Sequence, residues 1–383
     1  MTTKKKILIF IDWFLPGYKA GGPVRSMANM VEYLKDEYDF YIVTRNTDYT
    51  ETTPYADVKS NCWELFSDSV KVYYADAKHQ NKTTYRHLVR EINPDSIYIN
   101  GIYSLKFSIT PLLVAHKLNA KKVIVASRGM LAQSAIAVKG GKKRLFLRLC
   151  KLAGLYRNVI FHATNIKEEQ DIYRSIGTKT KVCIADNLPK KELPVQKNIE
   201  KEKGSLKLVS LARIAPEKNT LFAIERLAEL PQDIGTLSFD LYGQIYDAEY
   251  WKQCEKVISQ LPSNIKVTYK GTVEASLVGE TIQQYHVLYM PTRGENFGHV
   301  ILESLSTARP VLISDQTPWR NLEQEKCGYD LDLNNKSAYT NALNSLLNME
   351  QDSFNIWCDG ARKRAVQFVE NKDLVEGYRE LFF

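Results

Sequence analysis

Gly294-Glu295-Asn296-Phe297-Gly298-His299-Val300-Ile301-Leu302-Glu303 sets two carboxylates eight positions apart, the first in a glycine-flanked turn and the second in an apolar, helix-forming run. Upstream, His286 to Met290 reads as a short buried strand; downstream, Ser304 to Pro310 leads into another, Val311 to Ile313. Strand, turn, helix, strand is the order of an α/β unit. A helix starting near Asn296 aims its unpaired N–H groups and the positive end of its dipole at the turn, a seat for a diphosphate. On such a helix Glu303 lies about 12 Å along the axis from Glu295, at about 1.5 Å per residue. Carboxylates on either side of a diphosphate can hold hydroxyls at both ends of a nucleotide sugar, the sugar on one side and the ribose on the other. Taken singly, Glu295 also reads as a helix-start acid and Glu303 as a solvated helix residue.

Glu-x7-Glu enclosing Asn296-Phe297-Gly298 resembles glycosyltransferase family 4, the large retaining group with the GT-B fold. The resemblance implies that Glu295 contacts the donor sugar and Glu303 the ribose, with Asn296, Phe297 and Gly298 in the donor-binding loop. Ser210-Leu-Ala-Arg213-Ile-Ala-Pro-Glu-Lys218-Asn219 closes an earlier strand, Leu206 to Leu211, and helix-like sequence begins near Pro216. Arg213 and Lys218 sit five apart across that turn, so a planar fork and a point charge can converge on one phosphate pair. Family 4 carries a similar Arg and Lys that neutralise the donor diphosphate. Cations fixed there stabilise the charge that grows as the sugar leaves. The alternative is two solvated cations beside a turn.

The first strand runs into Asp12-Trp-Phe-Leu-Pro-Gly-Tyr-Lys-Ala-Gly21-Gly22-Pro23, followed by a helix from Val24 to Leu34. Paired glycines at a strand-to-helix turn allow the backbone to approach an anion, and the resemblance makes Gly21 and Gly22 donor-binding. Arg128, after the strand Lys122 to Ala126, and Asn100 and Tyr103, after Ser96 to Asn100, lie at carboxyl ends of strands, where open α/β sheets bind ligands. They are candidate acceptor-binding residues. Many family members have His-Gly or Arg-Gly here, and Arg128 replaces the histidine of the former group; it stays protonated and is a poor general base. It reads either as an acceptor ligand or as a structural arginine paired with a carboxylate. His162 and His299 are the histidines best placed to meet the cleft, or are neutral hydrogen-bonding residues. Lys139 to Lys151 is basic and amphipathic. It reads as an exposed helix with its apolar side in the core, or as a contact for anionic lipid. Asp330-Leu-Asp332 lies away from the phosphate motifs and reads as structural, so no metal ligands and no cofactor are expected.

The 383 residues suit two domains, and 44% hydrophobic with 25% charged content is ordinary for a globular protein. A net charge of +8 suits anionic small-molecule or lipid partners and does not by itself imply nucleic acid. Six scattered cysteines without a Cys-x-x-Cys pair fit a reducing compartment. No run approaches a membrane span. Two series of short strands separated by amphipathic stretches flank a charged, proline-containing segment. The expected fold is α/β, GT-B: two Rossmann-like doubly wound domains facing a central cleft. Their expected limits are 1–188 for acceptor binding, 189–205 as linker and 206–365 for nucleotide-sugar binding, with 366–383 as a C-terminal helix crossing back. The expected activity is retaining, metal-independent transfer of a sugar from a nucleoside-diphosphate donor to a saccharide or lipid-linked acceptor hydroxyl. Its setting would be bacterial cell-surface polysaccharide or glycolipid synthesis, in the cytoplasm or at the inner face of the membrane. The alternatives are a non-catalytic nucleotide-sugar-binding partner subunit, or another GT-B enzyme such as a glycosyl phosphorylase or epimerase.

Overall fold

The computed structural model of the chain describes residues 4–137, 140–231 and 235–383. It divides into two compact units, Met1–Lys191 with Asn371–Phe383, and Glu192–Glu370. In the first, strands β1 (Lys5–Ile11), β2 (Tyr38–Arg45), β3 (Trp63–Ser67), β4 (Val70–Ala75), β5 (Ser96–Asn100), β6 (Val123–Ala126), β7 (Ile160–Ala163) and β8 (Lys181–Ile184) alternate with helices α1 (Gly22–Leu34), α2 (Lys82–Ile92), α3 (Thr110–Lys117), α4 (Gln133–Ala137), α5 (Gly140–Leu152) and α6 (Ile166–Ser175). The sheet runs β3-β4-β2-β1-β5-β6-β7-β8, parallel except for β3 against β4. The central strands are buried on both faces, as in β1, where Ile7 to Phe10 are wholly inaccessible. This is why they read as unbroken apolar runs rather than alternating ones. Side-chain caps start α2 and α6: Asn81 accepts from the amides of Thr83 and Thr84, and Asn165 from that of Glu168.

The second unit repeats the scheme with β9 (Ser205–Leu211), β10 (Thr236–Tyr242), β11 (Ile265–Gly271), β12 (Val287–Met290), β13 (Val311–Ser314) and β14 (Gly328–Leu331), and with α7 (Thr220–Ala228), α8 (Ala248–Ile258), α9 (Val278–Ile282), α10 (His299–Ser306), α11 (Lys336–Asn348) and α12 (Gln351–Val369). Its all-parallel order is β11-β10-β9-β12-β13-β14. Counted within the unit this is 3-2-1-4-5-6, the doubly wound order whose ligand crevice opens where direction reverses, at the carboxyl ends of β9 and β12. In the first unit the reversal falls between β1 and β5.

A last helix, α13 (Asp373–Phe382), packs on the first unit. Tyr378, Leu381 and Phe382 are buried, Phe382 lies 5.4 Å from Tyr38 and 6.0 Å from Tyr98 between ring centres, and Arg379 pairs with Glu37 at 2.6 Å. The observed boundary lies at 191/192, and the stretch that follows is attached to the second unit rather than loose. Lys201 is buried there and donates to the carbonyls of Glu202, Leu347 and Met349 at 2.9, 3.1 and 3.0 Å. Three strands escape a reading of the sequence: β3, β8 and β14. All are edges, where partial exposure breaks the apolar run that marks a central strand.

Candidate functional site

Strand order places the loop after β9 beside the loop after β12, and hydrogen bonds stitch the two together. Asn219 adopts a left-handed conformation, with φ of 60°. Its side chain donates to Pro291 O at 3.0 Å and accepts from Arg293 Nε at 3.1 Å. Glu217 O accepts from Thr292 Oγ1 at 3.0 Å and from the Arg293 amide at 2.9 Å. The Glu295 amide reaches across to Gln316 O at 3.0 Å, in the loop after β13. At the centre Lys218 Nζ lies 2.5 Å from Glu295 Oε2, the two side chains 16% and 21% exposed. Residues 77 apart in sequence thus form one cation–carboxylate pair at the mouth of the crevice.

Arg213 shares this loop but is exposed. It pairs with Glu217 at 3.3 Å and lies over the Tyr246 ring at 5.0 Å. The helix expected near Pro216 is a single 3-10 turn, Pro216–Lys218, ended by Asn219 before α7 begins. The helix expected near Asn296 likewise starts later, at His299. Gly298 has φ of +80°, which a helix cannot continue through, and a Cβ there would lie 2.7 Å from Ile301 Cδ1 and 3.1 Å from Glu295 Cγ. Glu295 therefore belongs to the loop, not to the axis that carries Glu303, and the spacing assumed for one continuous helix does not apply. Glu303 is half-buried in α10.

Asn296 is half-buried, whereas the Phe297 ring is core: it packs on Trp319, Phe368 and His299 at 5.9, 5.6 and 4.7 Å. Trp319 Nε1 donates to Phe297 O at 2.6 Å, so this carbonyl too is spent on the fold. What Phe297 does for the loop is to anchor it. In the first unit Gly21 has φ of 73°, with nothing within 4 Å of a built Cβ, and Gly22 opens α1. Asp48 holds their loop by accepting from the amides of Tyr18 and Lys19 at 3.0 and 3.3 Å.

The acceptor candidates turn inward. Arg128 donates from Nε to Asn100 Oδ1 at 2.8 Å, from Nη1 to Asn187 Oδ1 at 2.7 Å and from Nη2 to Tyr98 Oη at 2.8 Å. Every nitrogen of the fork, and the Asn100 carbonyl with it, is used inside the unit. This favours the structural role for Arg128, with amides and a phenol rather than a carboxylate as its direct partners. Tyr98 donates to His162 Nδ1 at 2.7 Å, and His162 Nε2 donates to Ala185 O at 2.8 Å. Burial, then the Arg128 charge, pushes His162 down to about 3, so it is a neutral internal link and does not meet a site. Beside it Glu168 is buried. Burial opposes its charge, but donors from Ser127, Gly129 and Thr164 outweigh that and hold it below its ordinary range. Tyr103, like Arg128, is half-buried, and its ring packs against Phe146 at 5.6 Å.

Sequence reasoning passed over Asn219, Thr292 and Arg293, which join the two loops, and Asp12, Arg45 and Ser104 at the reversal point of the first unit. There Asp12 Oδ1 accepts from Arg45 at 2.7 Å and Ser104 at 2.8 Å. The one usable signal was position: each lies at the carboxyl end of a strand or in the loop beyond it. Asp330 accepts from the amides of Asn321 and Leu322 and Asp332 from that of Asn334, structural roles for both. Among the described residues no group of three His, Cys, Asp or Glu is placed to hold a metal ion.

Residues 192–364 match the family model described as Glycosyl transferases group 1. No curated protein matches the chain significantly in sequence. Solved structures do match. Sucrose-phosphate synthase from Thermosynechococcus elongatus superposes with a TM-score of 0.72 at 14% identity, over 99% of each chain. HepE of Anabaena, solved with UDP-glucose, gives 0.66 at 14%, over 98% of this chain and 99% of that one. WaaG, a glycosyltransferase involved in lipopolysaccharide biosynthesis, gives 0.63 at 14%, over 98% of each. The likeness shows the fold: GT-B, two Rossmann-like α/β domains in one chain. It selects no subfamily within that fold.

Proposed function

We propose that the chain is a retaining glycosyltransferase that moves a sugar from a nucleoside-diphosphate donor to an acceptor hydroxyl. The observation that carries this reading is the Lys218–Glu295 pair at the reversal point of the second sheet. It is supported by the family match over the same unit, by the UDP-glucose bound to HepE and by the role of WaaG in lipopolysaccharide biosynthesis. In this reading the diphosphate lies between Arg213, Lys218 and the start of α10. Glu295 accepts from donor-sugar hydroxyls, Glu303 from the ribose, and Gly21 and Gly22 admit the donor to the first domain's backbone. The bond from the anomeric carbon to the diphosphate breaks, and the bond to the acceptor oxygen forms on the same face. The acceptor proton passes to an oxygen of the departing phosphate. No cofactor takes part. Cell-surface polysaccharide or glycolipid assembly, on the cytoplasmic side, is the setting that the saccharide or lipid-linked acceptor implies.

The test is a panel of nucleotide sugars read first by thermal shift, since a ligand that binds only the native state raises apparent stability. Hits are then assayed for nucleoside diphosphate released with acceptors. Turnover is expected to persist in excess chelator, because Arg213 and Lys218 supply the charge that a divalent ion would otherwise bring. Binding without turnover on any acceptor would mean a non-catalytic module. Complete loss in chelator, restored by Mg²⁺ or Mn²⁺, would overturn the electrostatic assignment. Glu303→Ala is expected to weaken donor-nucleotide affinity by roughly tenfold to 100-fold, about 1.5–3 kcal/mol for a charge-assisted hydrogen bond, with a smaller effect on kcat. Equal affinities by calorimetry would sink the ribose assignment.

A further inference from the structure

Helix α5 has an apolar stripe that the fold leaves uncovered. Leu147 and Cys150 are buried in the first unit, and Phe146 packs on Tyr103. At about 3.6 residues per turn, Leu145, Leu149 and Leu152 cluster on the opposite side of the helix. They are 58%, 57% and 77% exposed. The same geometry puts Lys142 along one border of the stripe and Arg144, Arg148 and Lys151 along the other. The helix holds no Asp or Glu. Arg144 and Arg148 form no hydrogen bond or ion pair among the described residues. Their flank opens onto a cavity of about 660 Å³ that Arg174 of α6 also lines. Lys139, at the start of the basic stretch, lies outside the described residues.

Any apolar partner would cover three leucines. A border of cations with no acid among them narrows the occupant to one that is apolar within and anionic at its surface. We infer that α5 docks the chain on an anionic lipid bilayer, with Leu145, Leu149 and Leu152 among the acyl chains and Arg144, Arg148 and Lys151 at the headgroup phosphates. The inference rests on α5 alone and not on the donor-site reading, so either can fail without the other.

The full chain is tested by cosedimentation with vesicles of phosphatidylcholine, with and without phosphatidylglycerol. Binding to the anionic vesicles is expected, weakened by salt. Together, Arg144→Gln, Arg148→Gln and Lys151→Gln should cost roughly 100-fold in affinity, at about 1 kcal/mol per cation near the surface. Together, Leu145→Ser, Leu149→Ser and Leu152→Ser should cost about tenfold or more at low salt. All six positions are exposed, so unchanged circular dichroism and melting are expected of both variants; a variant that melts early is replaced by its three single substitutions, read in the same assay. Three results would overturn the inference. These are no binding to anionic vesicles at low salt, binding indifferent to either set of changes, or self-association that the leucine changes abolish in a chain that ignores vesicles.

Discussion

Replacing Lys218 with alanine is expected to lower kcat roughly 100-fold or more in a chain that still folds, with a melting temperature lowered by several degrees. In the proposed reading the cation meets the negative charge that the donor diphosphate gains as the sugar departs, and removing one preorganised stabiliser of such charge typically costs about 10²–10³ in rate. It also orients Glu295, 2.5 Å away. The side chains of the pair are only 16% and 21% exposed, so stranding the Glu295 carboxylate should cost the fold about 1–3 kcal/mol. Arg213→Ala should act in the same direction and by a similar factor. Among the described residues Arg213 is held only by Glu217 and the Tyr246 ring, an arrangement from which an exposed guanidinium can swing onto a phosphate. Steady-state kinetics with a donor found by thermal shift provides the measurement. A folded Lys218→Ala/Arg213→Ala double variant with near-normal turnover would eliminate the phosphate clamp.

Arg128→Ala is expected to destabilise the first domain by about 3–5 kcal/mol, because it strands buried partners. Asn100, Asn187 and Tyr98 are all buried, and each would lose a donor at 2.7–2.8 Å. For a domain of this size the loss corresponds to a fall in Tm of roughly 10 °C. Arg128→Lys should recover little of it, since one point charge cannot reproduce three directed bonds from a planar fork. Thermal denaturation separates the two roles considered for this residue. An unchanged Tm together with a raised KM for the acceptor would return Arg128 to the acceptor site.

Both expectations show where a linear reading stops. Arg128 follows a strand, as ligand-binding residues of open sheets do, and nothing in its neighbours tells which way its side chain turns. Asn187 lies 59 positions away and Tyr98 lies 30, and these contacts decide the matter. Phe297 is a similar case. Within Asn-Phe-Gly it falls in the motif that the family resemblance ties to a donor loop, yet Trp319 and Phe368 draw its ring into the core. The late start of α10 has a local cause in Gly298, but the sequence alone does not say whether a glycine flanking a helix takes positive φ.

By itself the sequence determined the architecture: two series of apolar strands divided by amphipathic helices, closed by turns rich in Gly, Asn and Pro. It could do so because burial on both faces of a parallel sheet imposes a continuous apolar run, a property of a few consecutive residues. It also singled out Arg213, Lys218, Glu295 and Glu303 as residues of strand-to-helix turns and of the helix that follows. Only the tertiary structure decided which of those turns meet. The order β11-β10-β9-β12-β13-β14 puts β9 beside β12 and so brings Lys218 to Glu295 across 77 residues. That pairing of strands is non-local. It is settled by how whole helices and sheets pack, and leaves no mark in the periodicity of either segment.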